Sequence, residues 1–214
     1  MGIELRPLRG RTVWIRPGTS DADVVWDTFV GRYHMPPPDL PNEPLALIWD
    51  LGSNIGLTMV DLAVRFPRAR ILGVELEPAN AALALRNIEP WSDRCELLEA
   101  AVWTHDGTID FDGAGGEEHG FRVADAGPRT AAAIALSTLR ARSPEGPDYI
   151  KMDIEGAERA VRQTNTSWAA DAGAIKVEVH DPYTVGDCVE DLTRLGFEAT
   201  ADRRHWACVA GVRR

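Results

Sequence analysis

The sequence predicts an α/β fold: an open, mostly parallel sheet with helices on both faces, closed by a C-terminal antiparallel hairpin. Three observations carry this. Short apolar runs alternate with stretches of helical periodicity from about residue 45 onward. The runs are continuous rather than alternating, as expected of strands buried on both faces. The last two strand-like segments are separated only by a charged turn.

Residues 1–44 lie outside the alternation and are expected to form a cover packed over the rim of the domain that fills residues 45–214. They hold a short helix from Ser20 or Asp21 and then a proline-rich connector. "LALIW" before Asp50 is the first strand of the sheet, and "LTMVDLAVRF" the first crossover helix, stopped by Pro67. "RILGVEL" and "EPANAALALRNI" repeat the unit, with Pro78 suited to a first helical turn. "CELLEAAVW" reads as a third strand, and the glycine-rich residues 104–130 as a hairpin excursion. "YIKMDIE" leads into "GAERAVRQ", where Glu158 and Arg162 stand one turn apart and can pair. "AIKVEVH" is a further strand, followed by "TVGDCVEDLTRL", an amphipathic helix closed by Gly196. "FEAT" and "HWACVAGV", split by "ADRR", form the hairpin. Such crossovers are right-handed, and ligands bind beyond the carboxyl ends of the strands, where Asp50, Glu75, Asp153 and Glu178 gather on one rim.

Composition narrows the function. Against 33 Asp and Glu stand 23 Lys and Arg, and a formal charge of -10 with no segregated basic stretch disfavours a nucleic-acid partner. Cys95, Cys188 and Cys208 are odd in number and widely spaced, so they read as reduced core residues. No window is apolar enough for a membrane span and no secretory leader is visible, so a cytoplasmic location without membrane attachment is expected, with self-association left open.

The stretch "IWDLGSNIG" is where chemistry enters. A strand delivers Asp50 and then turns into a helix through Gly52, Ser53, Asn54 and Gly56, offering backbone amides beside one fixed negative charge. Amides favour a carboxylate and Asp50 an ammonium, the two ends of an amino-acid head. Glu75 ends the next strand, where a carboxylate accepts hydrogen bonds from a ribose. Amino-acid head plus ribose is S-adenosylmethionine. G-x-x-x-G lacks the dinucleotide spacing, and the Walker lysine is missing.

"DLGSNIG", "VELEPANAALALRNI", "AAVWTHDGTIDF" and above all "YIKMDIEGAE" resemble the FkbM family of S-adenosylmethionine-dependent methyltransferases, in the family's order over about residues 48–180. The resemblance implies a Rossmann-like class I methyltransferase fold, with a mostly parallel seven-stranded sheet. It also implies O-methylation of a small-molecule hydroxyl, on a sugar or secondary metabolite, and cofactor roles for Asp50, Gly52, Asn54, Gly56 and Glu75. Ser53 and Leu76 belong with that set, and Glu99, Ala100 and Ala101 follow the third strand where an adenine pocket is expected.

On the acceptor side, Asp153 is expected to orient or deprotonate a hydroxyl, with Glu155 or Glu158 touching neighbouring groups. Glu178 and His180 end the following strand on a shared face. Two chemistries stay open: magnesium held by Asp153 and Glu178, or His180 as general base. Lys151 is read as pointing to the other face, away from the chemistry, and Tyr33 and His34 either as closing over the cofactor or as anchoring the leader. RNA or protein methylation, and a catalytically silent cofactor-binding module, are the alternatives.

Overall fold

A computed structural model describes residues 1–8, 10–38, 40, 44–113, 121–124 and 129–214, with side chains outside 112–128. Its seven-stranded sheet runs in the order β12 (Glu198–Ala201), β13 (Cys208–Val212), β11 (Ala174–Glu178), β10 (Tyr149–Met152), β3 (Leu47–Leu51), β4 (Arg70–Glu75), β5 (Cys95–Glu99). The five strands from β11 to β5 are parallel, and β13 joins antiparallel between β11 and β12. From β3 the chain winds outward to β4 and β5, then returns to β10 and winds the other way. The switch point therefore falls between β3 and β10, the place where an open sheet splays apart to admit a ligand.

Alternation along β3 shows why its apolar run is unbroken. Leu47, Trp49 and Leu51 enter one core with Ile150, Met152 and Trp168, while Ile48 enters the other with Met59, Leu62 and Tyr149. Each such side chain is worth roughly 1.5–3 kcal/mol when buried. The helices α2 (Leu57–Arg65) and α3 (Pro78–Ile88) cover the second face, and α5 (Glu158–Gln163) and α6 (Val185–Arg194) the first. Pro78 stands in the first turn of α3, and Thr184 and Asp187 close a capping box on α6. The three cysteines are free and buried. Among the described residues no helix is long and apolar enough to cross a membrane.

Two segments depart from the expected layout. "CELLEAAVW" is two strands, parted at Ala100, whose amide makes the last rung of the β4–β5 ladder by donating to the Glu75 carbonyl at 2.9 Å. Its second half, β6 (Ala101–Trp103), starts a separate four-stranded sheet with β9 (Arg129–Ala135), β7 (Gly107–Gly113) and β8 (Phe121–Ala124), the hairpin excursion; α4 (Leu136–Arg142) follows. The leader folds as a small hairpin, β1 (Gly2–Glu4) and β2 (Thr12–Trp14), and a helix α1 (Asp21–Trp26) that continues in wider π-type turns to Gly31. It covers more than the rim. Leu8, Val13, Ile15 and Phe29 join the α2 and α3 core, and Asn87 holds Trp14 by its amide and carbonyl.

Candidate functional site

The amides of the turn after β3 are taken up by β4 and by the turn itself. Gly52 and Ser53 both donate to the Val74 carbonyl, at 2.9 and 3.0 Å, and Gly56 donates to Ser53. Asn54 donates to Glu75 Oε2 at 2.7 Å. The expectation of free amides for a carboxylate is thus corrected at these four positions: sheet and turn satisfy them internally. Gly52, Asn54 and Gly56 all have positive φ, at 80°, 49° and 79°. Gly52 also allows a close approach, since a Cβ there would stand 1.7 Å from the Asp153 carbonyl oxygen. The tips of β3 and β10 touch only because that position has no side chain.

Beside this turn opens a cleft of about 600 Å³, solvent mouth included. Gly52, Asn54, Glu75, Leu76 and Ala101 line it, as do Ala100 and Val102. Asp153 and Glu155 line it too, the latter at φ 53°. Asp50, Ser53 and Gly56 stand behind the surface: Asp50 is fully buried, and Ser53 Oγ donates to its carbonyl at 2.8 Å. Glu75 is almost fully buried and accepts from the amides of Asn54 and Glu77, yet burial prevails over those bonds and raises its carboxyl to about 7. Sequence reasoning missed Asn80, which lines the cleft from α3 and accepts from Arg16 of the leader at 2.8 Å. No local motif links residues that far apart in sequence.

At the switch point the structure overturns the reading of Lys151. It is 3% exposed, donates to the Gly52 carbonyl at 2.8 Å, and lies 3.3 Å from Asp153 and 3.6 Å from Asp50. The reason is geometric: residues 151 and 153 are two apart and share a side of the chain, and register sets Lys151 directly opposite Asp50. Burial alone would pull its ammonium down, but Tyr33, Asp153, Asp50 and Glu178 hold it well above the ordinary range. Asp50 is raised by burial against the pull of Lys151, and neither of its carboxylate oxygens has a hydrogen bond.

His180 is the second cation. Its Nδ1 meets Glu158 Oε1 at 2.8 Å, and its Nε2 lies 3.4 Å from Glu155 and 3.7 Å from Asp153. Desolvation lowers its pKa, but the Glu158 hydrogen bond and the surrounding carboxylates outweigh this and lift it to about 9. A neutral general base at pH 7 is therefore the wrong description: three acids keep the ring an imidazolium. Glu158 also accepts from the amides of Ile154 and Gly156, so it turns to His180 and this loop, and the expected Glu158–Arg162 pair does not form; Arg162 instead stacks over Tyr183. Burial raises Glu178 to about 8, with Asp153 adding to it.

Among the described residues, the group whose ligand atoms converge within 4.8 Å is Asp153, Glu155 and His180; Glu178 stands outside it. That set fits magnesium poorly. The ion wants oxygen ligands, and the imidazolium already holds the positive charge at the centre.

The leader meets the rim through neighbouring residues with different tasks. His34 is an anchor, fully buried, with Nε2 3.0 Å from Asp61 on α2 and its carbonyl accepting from the Tyr149 hydroxyl at 2.7 Å. Tyr33 is half-buried, its ring 6.0 Å from Lys151 Nζ and 5.7 Å from the ring of His205. Trp206 then stacks on His205 at 6.2 Å and is 87% exposed. His105 sits in a loop beside Thr104, while His119 and residues 114–116 of the glycine run lie outside the described residues.

Comparison with known proteins follows the same outline. Residues 50–198 match the family described as Methyltransferase FkbM domain. A release factor glutamine methyltransferase of Geobacter sulfurreducens is 37% identical over 67 residues, 31% of this chain and 24% of that protein. A tRNA1(Val) (adenine(37)-N6)-methyltransferase of Porphyromonas gingivalis is 38% identical over 55 residues, 25% of this chain and 22% of that protein. The chain thus spans about a quarter of the curated relatives it matches. In fold it is similar to an O-methyltransferase family protein from Burkholderia thailandensis (TM-score 0.52, 13% identity, covering 91% of this chain and 56% of that one). It is also similar to the S-adenosylmethionine-dependent methyltransferase SibL (TM-score 0.53, 14% identity, covering 92% and 60%).

Proposed function

Because this chain belongs to the FkbM methyltransferase family, we propose that it transfers a methyl group from S-adenosylmethionine to a hydroxyl of a small molecule. One observation carries the reading: two buried acids, Asp50 and Glu75, end adjacent parallel strands beside a cleft lined by Gly52 and Glu75. The residues present fit the cofactor. Glu75 would receive the ribose hydroxyls, and Leu76, Ala100, Ala101 and Val102 would flank the adenine. Gly52 and Asn54 would face the amino-acid end, with Ser53 and Gly56 shaping the turn behind them and the unbonded carboxylate of Asp50 supplying negative charge. When bound, the cofactor supplies an electrophilic methyl group on a sulfonium.

The chain's own part is to hold the acceptor and take its proton. Asp153 and Glu155, at the other wall of the cleft, offer carboxylate oxygens to a hydroxyl. His180, as imidazolium, fixes both carboxylates rather than removing the proton itself. Tyr33, whose ring faces Lys151, continues through His205 to Trp206, a run of aromatic rings suited to the flat face of a ring-bearing acceptor. The release factor and tRNA methyltransferases to which the chain is similar favour a second reading, methylation of a protein or a tRNA. The net charge of -10 opposes the RNA form of it.

Titration with S-adenosylhomocysteine tests the cofactor half. At a concentration a hundredfold above Kd the ligand adds about 2.7 kcal/mol, a rise of roughly 5–10 °C in melting temperature for a chain of this size. An unmoved melting temperature overturns the reading.

A further inference from the structure

Lys151 has no part in the scheme above, yet it is a buried cation with oxygen neighbours on three sides. Its ammonium has three protons and three oxygen neighbours, each from a different piece of chain: the Gly52 carbonyl of the turn, the Asp153 carboxylate after β10, and the Asp50 carboxylate of β3. Tyr33 closes the remaining side. We propose that Lys151 is a positioning residue that clamps the cofactor turn to Asp153, so that the donor and acceptor sides of the site keep a fixed spacing. The inference deepens the methyltransferase reading and rests on it.

Geometry separates this role from plain charge neutralisation of Asp50. If balancing Asp50 were the whole task, the ammonium would sit closest to that carboxylate. Instead the shortest contact, 2.8 Å, goes to the uncharged Gly52 carbonyl, and Asp50 is the farthest of the three at 3.6 Å. The absent Cβ of Gly52 lets the Asp153 backbone press against the turn from one side, and Lys151 ties the same two segments together through side chain and carbonyl. A buried cation is costly unless it is paired and hydrogen-bonded, and here the two hydrogen bonds both go to the segments being joined, Gly52 and Asp153, while Asp50 contributes charge alone. A lysine suits the place because a compact ammonium on a flexible stem can reach a backbone carbonyl and two carboxylates between adjacent strands, where a planar guanidinium would need more width.

The test compares Asp50→Asn with Asp50→Asn/Lys151→Met. Lys151→Met alone would leave Asp50 as an unpaired buried charge and is expected to unfold the protein; the double variant removes both charges together. Isothermal titration with S-adenosylhomocysteine and hydrogen–deuterium exchange over residues 50–56 and 151–155 are read side by side. The clamp requires the double variant to melt within a few degrees of Asp50→Asn. It also requires binding about tenfold weaker, equivalent to roughly 1.4 kcal/mol, and faster exchange confined to those two segments. Equal affinity and equal exchange in the two variants would reduce Lys151 to a counter-ion and overturn the proposal. If wild-type protein ignores S-adenosylhomocysteine, the cofactor reading fails, while the exchange comparison still decides the clamp.

Discussion

Replacing Gly52 by alanine is the sharpest perturbation of this rim, because two penalties act at one atom. The residue has φ 80°, a left-handed conformation that costs an L-residue about 1–2 kcal/mol. Its new Cβ would also sit 1.7 Å from the Asp153 carbonyl oxygen, a backbone atom that cannot swing aside. Relief demands that the tips of β3 and β10 part by more than 1 Å, an overpacking cost of about 1–3 kcal/mol. The sum, about 2–5 kcal/mol, lowers the melting temperature by roughly 10 °C for a chain of this length. Gly18 supplies the control, with φ 77° and nothing within 4 Å of its added Cβ, so Gly18→Ala isolates the conformational part. Thermal melts of the three proteins by circular dichroism should place Gly52→Ala well below Gly18→Ala, with S-adenosylhomocysteine no longer raising its melting temperature. Equal melting of the two variants would refute the idea that the strand tips are in forced contact.

Three further outcomes follow, two from charge and one from exposure. Burial raises Glu75 to about 7 from an ordinary 4.5, so its folded form holds a proton that the unfolded chain has released. The stability this brings is complete below about pH 4.5 and lost as pH rises through 7, on the order of 3 kcal/mol, and Glu75→Gln should flatten that part of the denaturation profile. His180, lifted from 6.5 to about 9 by Glu158, Asp153 and Glu155 against the pull of burial, contributes stability present below about pH 6.5 and lost as pH rises through 9. His180→Asn should remove that loss, measured by urea titration at pH 6, 7.5 and 9; a parallel curve for the variant would show the ring is not charged in the fold. Trp206→Ala should leave S-adenosylhomocysteine affinity unchanged in calorimetry, because the side chain is solvent-facing and absent from the cofactor cleft.

Period and punctuation made the sheet legible. Continuous apolar runs ending in Asp50, Glu75 and Glu178, and crossover helices stopped by Pro67 and Gly196, correspond to strands and helices at nearly the expected residues. The match fails where tertiary contacts decide. "CELLEAAVW" has no breaker, yet it parts at Ala100 because Cys95–Glu99 pair with β4 while Ala101–Trp103 pair with β9 of the second sheet. The site shows the same division. Glycines and acids near the strand ends could be read in order, but Lys151 could not, since its partners depend on the register between β3 and β10, strands 99 residues apart at the Gly52 contact. His180 was legible as a titrating residue, and its charge was not, because the three acids around it come from the loop before α5 and from the helix itself.

The strand order has a consequence for how such a protein can diversify. Glu75 stands on β4, to one side of β3, whereas His205 and Trp206 lie in the turn between β12 and β13, at the opposite margin of the sheet. That turn meets the rest of the fold through the His205 ring on Tyr33 and through Asp202 on Lys176, whereas Trp206 is exposed and can be exchanged without disturbing the packing at Gly52. On the proposed reading, acceptor preference can drift at this margin while the cofactor side is kept constant by its own crowding.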